Sequence, residues 1–296
     1  MSWNSFFNEN NFRIAETERL IAYGATWRSM KAAVELGQLV RARRGHYALP
    51  GTDPHTLEAV RLGGRLGCIS AAADYGVFAL DNTFVHIQVQ PTASRLRAPH
   101  DRFQRLTDHN RHGAELHWDE LLHPEDGNEY RVGLTDALVQ TFRCQQPRFA
   151  LASLDNAMHQ NLIRPDEVNE IFAALPRELQ YLRARVDARS DSGQETVLSF
   201  IVHEAGYKFE IQVRIDGVGR VDMVIEGCLV VEADSREFHQ DWAAQKRDRT
   251  RDRDLARAQY VSYRAIHEDI LYHPEIVLEA IAGLLAVNRN YNPANK

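Results

Sequence analysis

The sequence predicts a mixed α/β fold in which helices and strands alternate along the chain. Two β-branched apolar runs, 221–225 and 229–231, flank a Glu-Gly dipeptide and predict a β-hairpin near the C-terminus. Near the N-terminus, a predicted helix at 27–36 precedes an arginine-rich hairpin at 39–49. A chain of 296 residues suits two or three domains. We predict an N-terminal domain at 1–52, an α+β middle domain at 53–188 and a C-terminal domain at 189–296.

The C-terminal domain has a distinctive order of predicted elements. Alternating and continuous apolar patterns predict its strands, and a long run of helix-forming residues follows the third strand. The order is therefore helix, three-stranded meander, helix and strand. The predicted elements are a helix at 195–202, strands at 208–213, 220–225 and 229–234, a helix at 238–259 and a strand at 260–266.

Carboxylates stand inside two of these apolar strands. Asp222 and Glu232 each have apolar neighbours on both sides, and the hairpin would place their strands next to each other. Charged side chains rarely occupy such strands unless they are paired or hold a metal. A hard cation such as Mg²⁺ binds one or two carboxylates together with phosphate oxygens. The pattern therefore predicts metal-assisted cleavage of a phosphodiester.

Each candidate position also has a purely structural interpretation. Glu195 and Ser192 form a capping-box pattern, so the Glu195 carboxylate could serve only the helix N-terminus. Glu232 and Asp234 alternate onto one face of their strand and could form ion pairs instead of binding a metal. His239 precedes a long helix and could be an exposed first-turn residue. The candidate partners for the ion pairs are Arg214 and Arg236.

This element order is that of the PD-(D/E)xK, or restriction-endonuclease-like, nuclease core. More narrowly, residues 190–285 resemble the DUF559 family, which is related to the very-short-patch-repair (Vsr) mismatch endonucleases. The positions that carry the resemblance are Glu195, Gln212, Val221-Asp222, Val231-Glu232-Ala233-Asp234, His239, Asp248, Arg251-Asp252, Leu255 and Arg264.

The resemblance implies an endonuclease that depends on Mg²⁺ or Mn²⁺. Asp222 would ligate the metal directly, and Glu232, a backbone carbonyl or water would complete the shell. Glu195 would orient water or a second metal, and Gln212 and Asp234 would shape the site. His239 would activate the attacking water or protonate the leaving oxygen.

Three positions depart from the family pattern. Ser235 and Gln259 stand where the family usually has glycine, and the third position of Glu232-Ala233-Asp234 is not a lysine. The Vsr-like branch also lacks that lysine and relies on histidine. The missing lysine therefore does not exclude activity.

Basic residues are concentrated near the N-terminus. Residues 28–46 contain Glu35 as their only acid, and the tip of the predicted hairpin is Arg43-Arg44-Gly45. A helix followed by such a hairpin has the shape of a winged helix, whose basic side chains would contact phosphates and groove edges. A module for protein contacts is the alternative. The expected DNA-binding residues are Arg28, Lys31, Arg41, Arg43 and Arg44.

Residues 37–49 carry a second resemblance. Their sequence, GQLVRARRGHYAL, has the pattern G-x-L-x-R-x-R-x-G-x-Y-A-L that is typical of the N-terminal domain of AbiEi-type antitoxins. The middle region resembles the part that follows the winged helix in AbiEi-like proteins. The resemblance implies binding to DNA and a regulatory role.

The middle region shows no compact metal-binding spacing. Cys68, Cys144 and Cys228 are widely separated, fit neither a zinc motif nor a disulfide framework, and are expected to be three buried thiols. Surface positions are expected for His100, His109, His112 and His117. The predicted elements are helices at 67–80, 135–146 and 149–162, a strand at 85–90 and a mobile basic loop at 95–112.

The composition of the chain limits the classes of protein to which it could belong. The formal net charge of −6 argues against a generally basic nucleic-acid coat but allows local basic patches. No apolar run is long enough to span a membrane, and no signal-peptide pattern opens the chain. We expect a cytoplasmic protein that does not enter a membrane.

The predicted function is a metal-dependent DNA endonuclease that an N-terminal winged helix guides to DNA. The alternative is a non-catalytic, AbiEi-like transcriptional regulator or antitoxin that carries a degenerate nuclease fold. A third class is a defence or toxin–antitoxin component that acts only with a partner protein. Because a decayed nuclease would lose at least one acidic or histidine position, the joint presence of Glu195, Asp222, Glu232 and His239 favours the enzyme.

Overall fold

The computed structural model describes residues 2–234 and 242–291, and its fold is mixed α/β, as predicted. The described residues form two three-stranded sheets and one four-stranded sheet. The chain forms two compact units. The first unit is Met1–Gln145 with Pro165–Pro176, and the second is Gln146–Arg164 with Arg177–Lys296. The finer division at residues 52 and 188 stays a prediction.

The first unit contains two of the sheets and most of the short helices. Its helices are α1 (Trp3–Glu9), α2 (Thr17–Ala22), α3 (Trp27–Glu35), α4 (Pro54–Leu62), α5 (Cys68–Asp74), α6 (Leu134–Cys144) and α8 (Pro165–Ala173). Its strands are β1 (Ile14–Glu16), β2 (Val40–Arg43), β3 (His46–Ala48), β4 (Arg65–Leu66), β5 (Val85–Gln88) and β6 (Ala114–His117).

The N-terminal part of this unit follows the predicted pattern of a helix and a hairpin. α3 begins at a reciprocal capping box, in which the Thr26 side chain accepts from the Ser29 N–H and the Ser29 side chain accepts from the Thr26 N–H. β2 and β3 pair antiparallel around Gly45, whose φ of +88° suits a residue without a side chain. The helices and strands share an apolar core that includes Phe7, Leu20, Met30 and Tyr47.

Two predicted elements of the middle region are shorter than expected. α5 ends at Asp74 rather than near residue 80, because Gly76 adopts a left-handed φ of +79° just beyond the helix. β5 ends at Gln88, and all four of its residues are buried. The side chains alternate between two sides of the strand as expected, but both sides are buried and neither faces solvent. Val85 and Ile87 belong to the apolar core, whereas His86 and Gln88 lie on the other face.

The second unit contains the remaining sheet. It is built from α7 (Pro147–His159), a 3-10 helix (Arg177–Arg185), α9 (Gly193–Glu204), β7 (Phe209–Ile215), β8 (Gly219–Ile225), β9 (Leu229–Asp234), α10 (Trp242–Arg257), β10 (Val261–Ile266), α11 (His267–Tyr272) and α12 (Pro274–Tyr291). From α9 to β10, the order is helix, three strands, helix and strand, as the sequence predicts.

The sheet of the second unit is mixed. β7, β8 and β9 form an antiparallel meander, and β10 lies parallel to β9. A parallel neighbour requires a crossover connection, and α10 provides it. Val224 and Val230 on the strands share a buried cluster with Leu255 of α10, so this helix covers part of the sheet. The paired residues Met223 and Val231 fix the register that brings Asp222 next to β9.

Candidate active site and nucleic-acid interface

The first component of the candidate active site is the N-terminus of α9. Ser192 caps the helix, and its Oγ accepts from the Glu195 N–H at 3.4 Å. The Glu195 carboxylate accepts in turn from the Ser192 hydroxyl and the Asp191 N–H, each at 3.0 Å. Glu195 therefore takes part in capping α9, although this is not its only contact. The same carboxylate also accepts from the Gln212 Nε2 of β7 at 2.7 Å, so it links the helix to the sheet.

Gln212 has an unusual backbone for a strand residue. It lies between the paired positions Ile211–Met223 and Val213–Val221, opposite Asp222, and its φ is +54°. A residue with a side chain in this region costs about 1–3 kcal/mol, and such residues concentrate at functional sites. Its Oε1 is buried and, among the described residues, has no hydrogen-bond partner.

Asp222 is half-buried on β8 and faces a concentration of negative charge. Its Oδ2 accepts from the Ala233 N–H of β9 at 3.0 Å. Burial, followed by the nearby Glu195 carboxylate, raises the pKa of Asp222 to about 6, and Glu232 adds to the increase. The hydrogen bond from Ala233 and the charge of Arg251 act in the opposite direction. The folded chain therefore holds this carboxylate where its ionised form is disfavoured.

Glu232 is paired with two arginines. Its Oε1 accepts from the Arg251 Nε at 3.1 Å and Nη2 at 2.6 Å, and its Oε2 lies 3.5 Å from the Arg264 Nε. The predicted partner Arg214 is exposed, and the other predicted partner, Arg236, lies outside the described residues. Arg251 is one helical turn from the buried Leu255, so it lies on the side of α10 that faces the sheet. Metal binding by Glu232 stays a prediction.

Of the predicted catalytic residues, Asp234 is described only in its backbone and His239 is not described. The backbone of Asp234 ends β9, where it pairs with Ile266. Its side chain is not described, and His239 lies in 235–241, outside the described residues. The described part of the candidate site, called the acidic site below, consists of Glu195, Gln212, Asp222 and Glu232.

A buried carboxylate that the sequence analysis missed supports the acidic site from α7. Asp155 accepts from the Asp187 N–H at 2.9 Å and the Thr196 hydroxyl at 3.1 Å. Burial raises its pKa well above the ordinary value for aspartate. Because Thr196 follows Glu195, this contact fixes the first turn of α9. In the sequence, Asp155 could have been recognised as an aspartate inside an apolar helix, among Leu151, Leu154 and Ala157.

The five predicted DNA-binding residues divide into two groups. Arg28, Lys31 and Arg44 are exposed, the first two on α3 and the third at the tip of the β2–β3 hairpin. The Lys31 ammonium lies 3.8 Å from the Glu35 carboxylate on the same helix. These three side chains are available to a phosphate backbone.

The other two arginines are half-buried. The Arg41 guanidinium lies 6.0 Å from the centre of the Tyr47 ring. Burial, followed by the nearby Arg97, lowers the pKa of Arg43. β2 packs against α4, which accounts for the reduced exposure. A contact between either side chain and DNA stays a prediction.

A second group of chemically reactive side chains lies in the first unit. Cys68, His86, His117 and Cys144 place one ligand atom each within 4.8 Å of all the others. Among the described residues, this is the one group of three or more potential metal ligands that meets this limit. It is called the Cys/His cluster below. Hydrogen bonds from Cys68 and the two imidazoles hold the pKa of Cys144 well below its usual range, whereas burial raises the pKa of Cys68.

The Cys/His cluster corrects two expectations. Cys68 is buried, but Cys144 is exposed and Cys228 is half-buried, so the three thiols are not all buried. His117 is buried, whereas His100, His109 and His112 are exposed as expected. The sequence did not reveal this cluster because its four side chains come from four elements that are far apart in the chain. A histidine inside the buried strand at 85–88 was the available signal.

Neither the protein-family models nor the curated proteins compared with this chain include a match to its sequence. Among the described residues, no helix has the length and apolar character needed to cross a membrane.

Proposed function

We propose that residues 189–296 form a metal-dependent DNA endonuclease domain, and that an N-terminal winged helix guides it to DNA. The observation that carries the proposal is the half-buried carboxylate of Asp222 on β8, whose pKa is raised to about 6 by burial and by the neighbouring Glu195 of α9 and Glu232 of β9. Carboxylates with strongly shifted pKa values are concentrated at functional sites.

The element order supports the proposed architecture. α9, the β7–β8–β9 meander, α10 and the parallel β10 follow the order of the restriction-endonuclease-like core, in agreement with the resemblance to DUF559 and Vsr-like proteins. In the first unit, the order β1, α2, α3, β2, β3 and the sheet order β1-β3-β2 suit a winged helix of the AbiEi type.

Asp222 is the carboxylate of the acidic site that is available to a hard divalent cation, because Glu195 and Glu232 are held by their own hydrogen-bond partners. Asp222 supplies a half-buried carboxylate, and the Gln212 Oε1, which has no hydrogen-bond partner among the described residues, supplies a neutral oxygen from the neighbouring strand. Mg²⁺ or Mn²⁺ would be held by Asp222 with water and phosphate oxygens, and Glu232 would contribute when an arginine contact is exchanged. Such an ion, when bound, polarises the phosphate and offsets the charge that develops as the bond breaks.

The side chains of the chain itself have separate tasks. Gln212 holds Glu195 in place, which leaves Glu195 oriented to accept a hydrogen bond from the attacking water. Arg251 and Arg264 hold Glu232 and place positive charge where a phosphate would approach. His239 would exchange a proton with the water or the leaving oxygen.

One observation favours the alternative function. The charge of Glu232 is already balanced by Arg251 and Arg264, so this part of the site is satisfied without a metal. That arrangement suits an AbiEi-like regulator or antitoxin that binds DNA and does not cut it. A component that requires a partner protein from a defence or toxin–antitoxin system is the third candidate.

The direct test is a cleavage assay with the full chain. Supercoiled plasmid and duplex oligonucleotides are incubated with the protein in Mg²⁺, in Mn²⁺ and in EDTA. We expect nicked or linear products with Mg²⁺ or Mn²⁺, none with EDTA, and recovery when Mg²⁺ alone is restored. DNA binding without cleavage in every condition would favour the regulator.

The winged helix leads to a separate prediction. Replacing the three exposed residues Arg28, Lys31 and Arg44 with alanine is expected to weaken DNA binding and to flatten its dependence on salt. Each lost phosphate contact lowers the log–log slope by about 0.9, so the triple variant should lose about 2–3 slope units. Fluorescence anisotropy at several salt concentrations measures this slope.

The control for this experiment is Arg177→Ala, which removes an exposed arginine from the 3-10 helix of the second unit. It should leave the slope unchanged. Arg41→Ala with Arg43→Ala should change the slope less than the exposed triple, because both side chains are half-buried. Equal slopes for wild type and the exposed triple would identify the winged helix as a protein-contact module.

A further inference from the structure

We propose that Cys68, His86, His117 and Cys144 bind one zinc-type transition-metal ion, which has a structural role in the first unit. This site is separate from the acidic site and would hold a different class of metal. Two thiolates and two imidazoles suit zinc, whereas carboxylates and water suit Mg²⁺. Four protein ligands leave no open position for a substrate, which is typical of a structural centre.

The distances agree with a tetrahedral site. Zn–S bonds of about 2.3 Å and Zn–N bonds of about 2.0–2.1 Å place neighbouring ligand atoms about 3.3–3.8 Å apart. The His86 Nδ1 lies 3.0 Å from the His117 Nε2 and 3.8 Å from the Cys144 Sγ. All four ligand atoms lie within 4.8 Å of one another. Small side-chain movements would therefore complete the coordination.

The secondary structure brings the four ligands together. β5 and β6 are parallel, and Gln88 pairs with His117, so His86 and His117 lie on the same face of the sheet. Cys68 is the first residue of α5, and Cys144 is the last residue of α6. A metal at this point would connect two helices and two strands.

Cys68 is held in a strained backbone conformation. Its φ is +47°, in a region that residues with side chains seldom adopt. Its N–H donates to the Gln140 Oε1 at 2.8 Å, which fixes the residue against α6. A strained residue persists where its surroundings determine its conformation, and ligand positions are common examples.

Polar neighbours orient the candidate ligands. The Ser70 Oγ accepts from the backbone N–H of His86 at 2.9 Å, and the Gln145 Nε2 donates to the Cys144 Sγ at 3.4 Å. Gln140 also donates to Gln88 on the histidine-bearing face of the sheet. Contacts of this kind fix the ligands of metal centres. His86, His117, Gln88 and Gln140 are buried polar side chains, and a bound cation would offset the cost of burying the two imidazoles.

Two other interpretations explain less of the geometry. A disulfide between Cys68 and Cys144 would use the two thiols but would leave the two buried imidazoles, which hydrogen-bond each other at 3.0 Å, without a role. A reactive thiol–imidazole pair would require one cysteine and one histidine, and would not explain the second member of each type. The metal uses all four side chains. Cys144, which is exposed, provides the route by which the ion enters.

The test begins with the full-length chain purified without added chelator. Mass spectrometry of its metals should give one zinc ion per chain. After removal of zinc, Co²⁺ should restore one equivalent, with thiolate charge-transfer and tetrahedral ligand-field absorption. Cys144→Ala and His117→Ala should lower metal affinity by more than the 10- to 100-fold loss that is typical of a missing outer contact. The matched controls Cys228→Ala and His112→Ala should retain the ion.

A second measurement uses the unmodified chain, so the result does not depend on whether the variants fold. Zinc should protect the exposed Cys144 from alkylation, whereas the reactivity of Cys228 should be the same with and without zinc. Three results would overturn the proposal: no metal bound by the purified or reconstituted chain, one equivalent retained by a folded Cys144→Ala variant, or a Cys68–Cys144 disulfide in the native protein. None of these readouts requires DNA cleavage, so the endonuclease proposal stands or fails separately.

Discussion

Asp222→Asn is expected to abolish metal-dependent DNA cleavage and, at neutral pH, to make the folded chain more stable. Asparagine lacks the negative charge that a divalent cation requires. Its side-chain oxygen can still accept from the Ala233 N–H, so the local hydrogen bond is retained. The substitution also removes the repulsion between Asp222 and the carboxylates of Glu195 and Glu232. Loss of activity together with a gain in stability is typical of a residue that is kept for function at a cost to stability.

The effect on stability should depend on pH. The folded pKa of Asp222 is about 6, whereas an unfolded aspartate has a pKa of about 3.9. Between these values the folded state binds more protons, so wild-type stability falls as the pH rises. The advantage of Asp222→Asn should therefore be absent below about pH 4 and complete above about pH 6. Because the side chain is half-buried, we expect a difference on the order of 1 kcal/mol.

Urea unfolding of wild type and Asp222→Asn at several pH values measures this difference, and plasmid cleavage measures activity. Asp216→Asn is the matched control, since Asp216 is exposed in the turn between β7 and β8. It should alter neither quantity. Wild-type cleavage by a folded Asp222→Asn protein would remove Asp222 from the metal site. Lower stability of this variant at pH 7 would contradict the electrostatic account.

The features that the sequence predicted correctly are local. The β8–β9 hairpin follows from two β-branched runs around Glu226-Gly227, and both of these residues adopt a positive φ, of +49° and +69°. The capping contact of Glu195 with Ser192 is similarly short-range. The helix and hairpin at 27–49 depend on a capping residue and a turn glycine, which are readable from sequence.

The features that could not be predicted depend on contacts between distant segments. Arg251 reaches Glu232 because α10 packs on the sheet, and no spacing along the chain indicates which arginine will do so. His117 is buried because the short β6 pairs with β5, although its local sequence resembles an exposed loop. The Cys/His cluster combines residues from α5, β5, β6 and α6, so none of the short spacings that mark zinc motifs is present.

His239→Ala is expected to reduce the rate of cleavage by about 10²–10⁴-fold without a comparable loss of DNA affinity. The reason lies in what the acidic site lacks. Glu232-Ala233-Asp234 has no lysine, and Glu232 is engaged by Arg251 and Arg264. We therefore expect the proton to be carried by a group from outside the acidic site. His239 is close in sequence to β9 and has the side chain whose ordinary pKa, about 6.5, suits exchange near neutral pH.

Single-turnover cleavage with excess enzyme separates the chemical step from binding, which is measured independently in Ca²⁺. The wild-type pH–rate profile should show an ionisation that His239→Ala lacks, and added imidazole should restore part of the rate. His273→Ala is the control, because His273 is an exposed histidine of the same unit that pairs with Glu275. An unchanged single-turnover rate in His239→Ala would exclude this imidazole from proton transfer. The proton would then have to move through water bound at the metal, and the acidic site alone would account for catalysis.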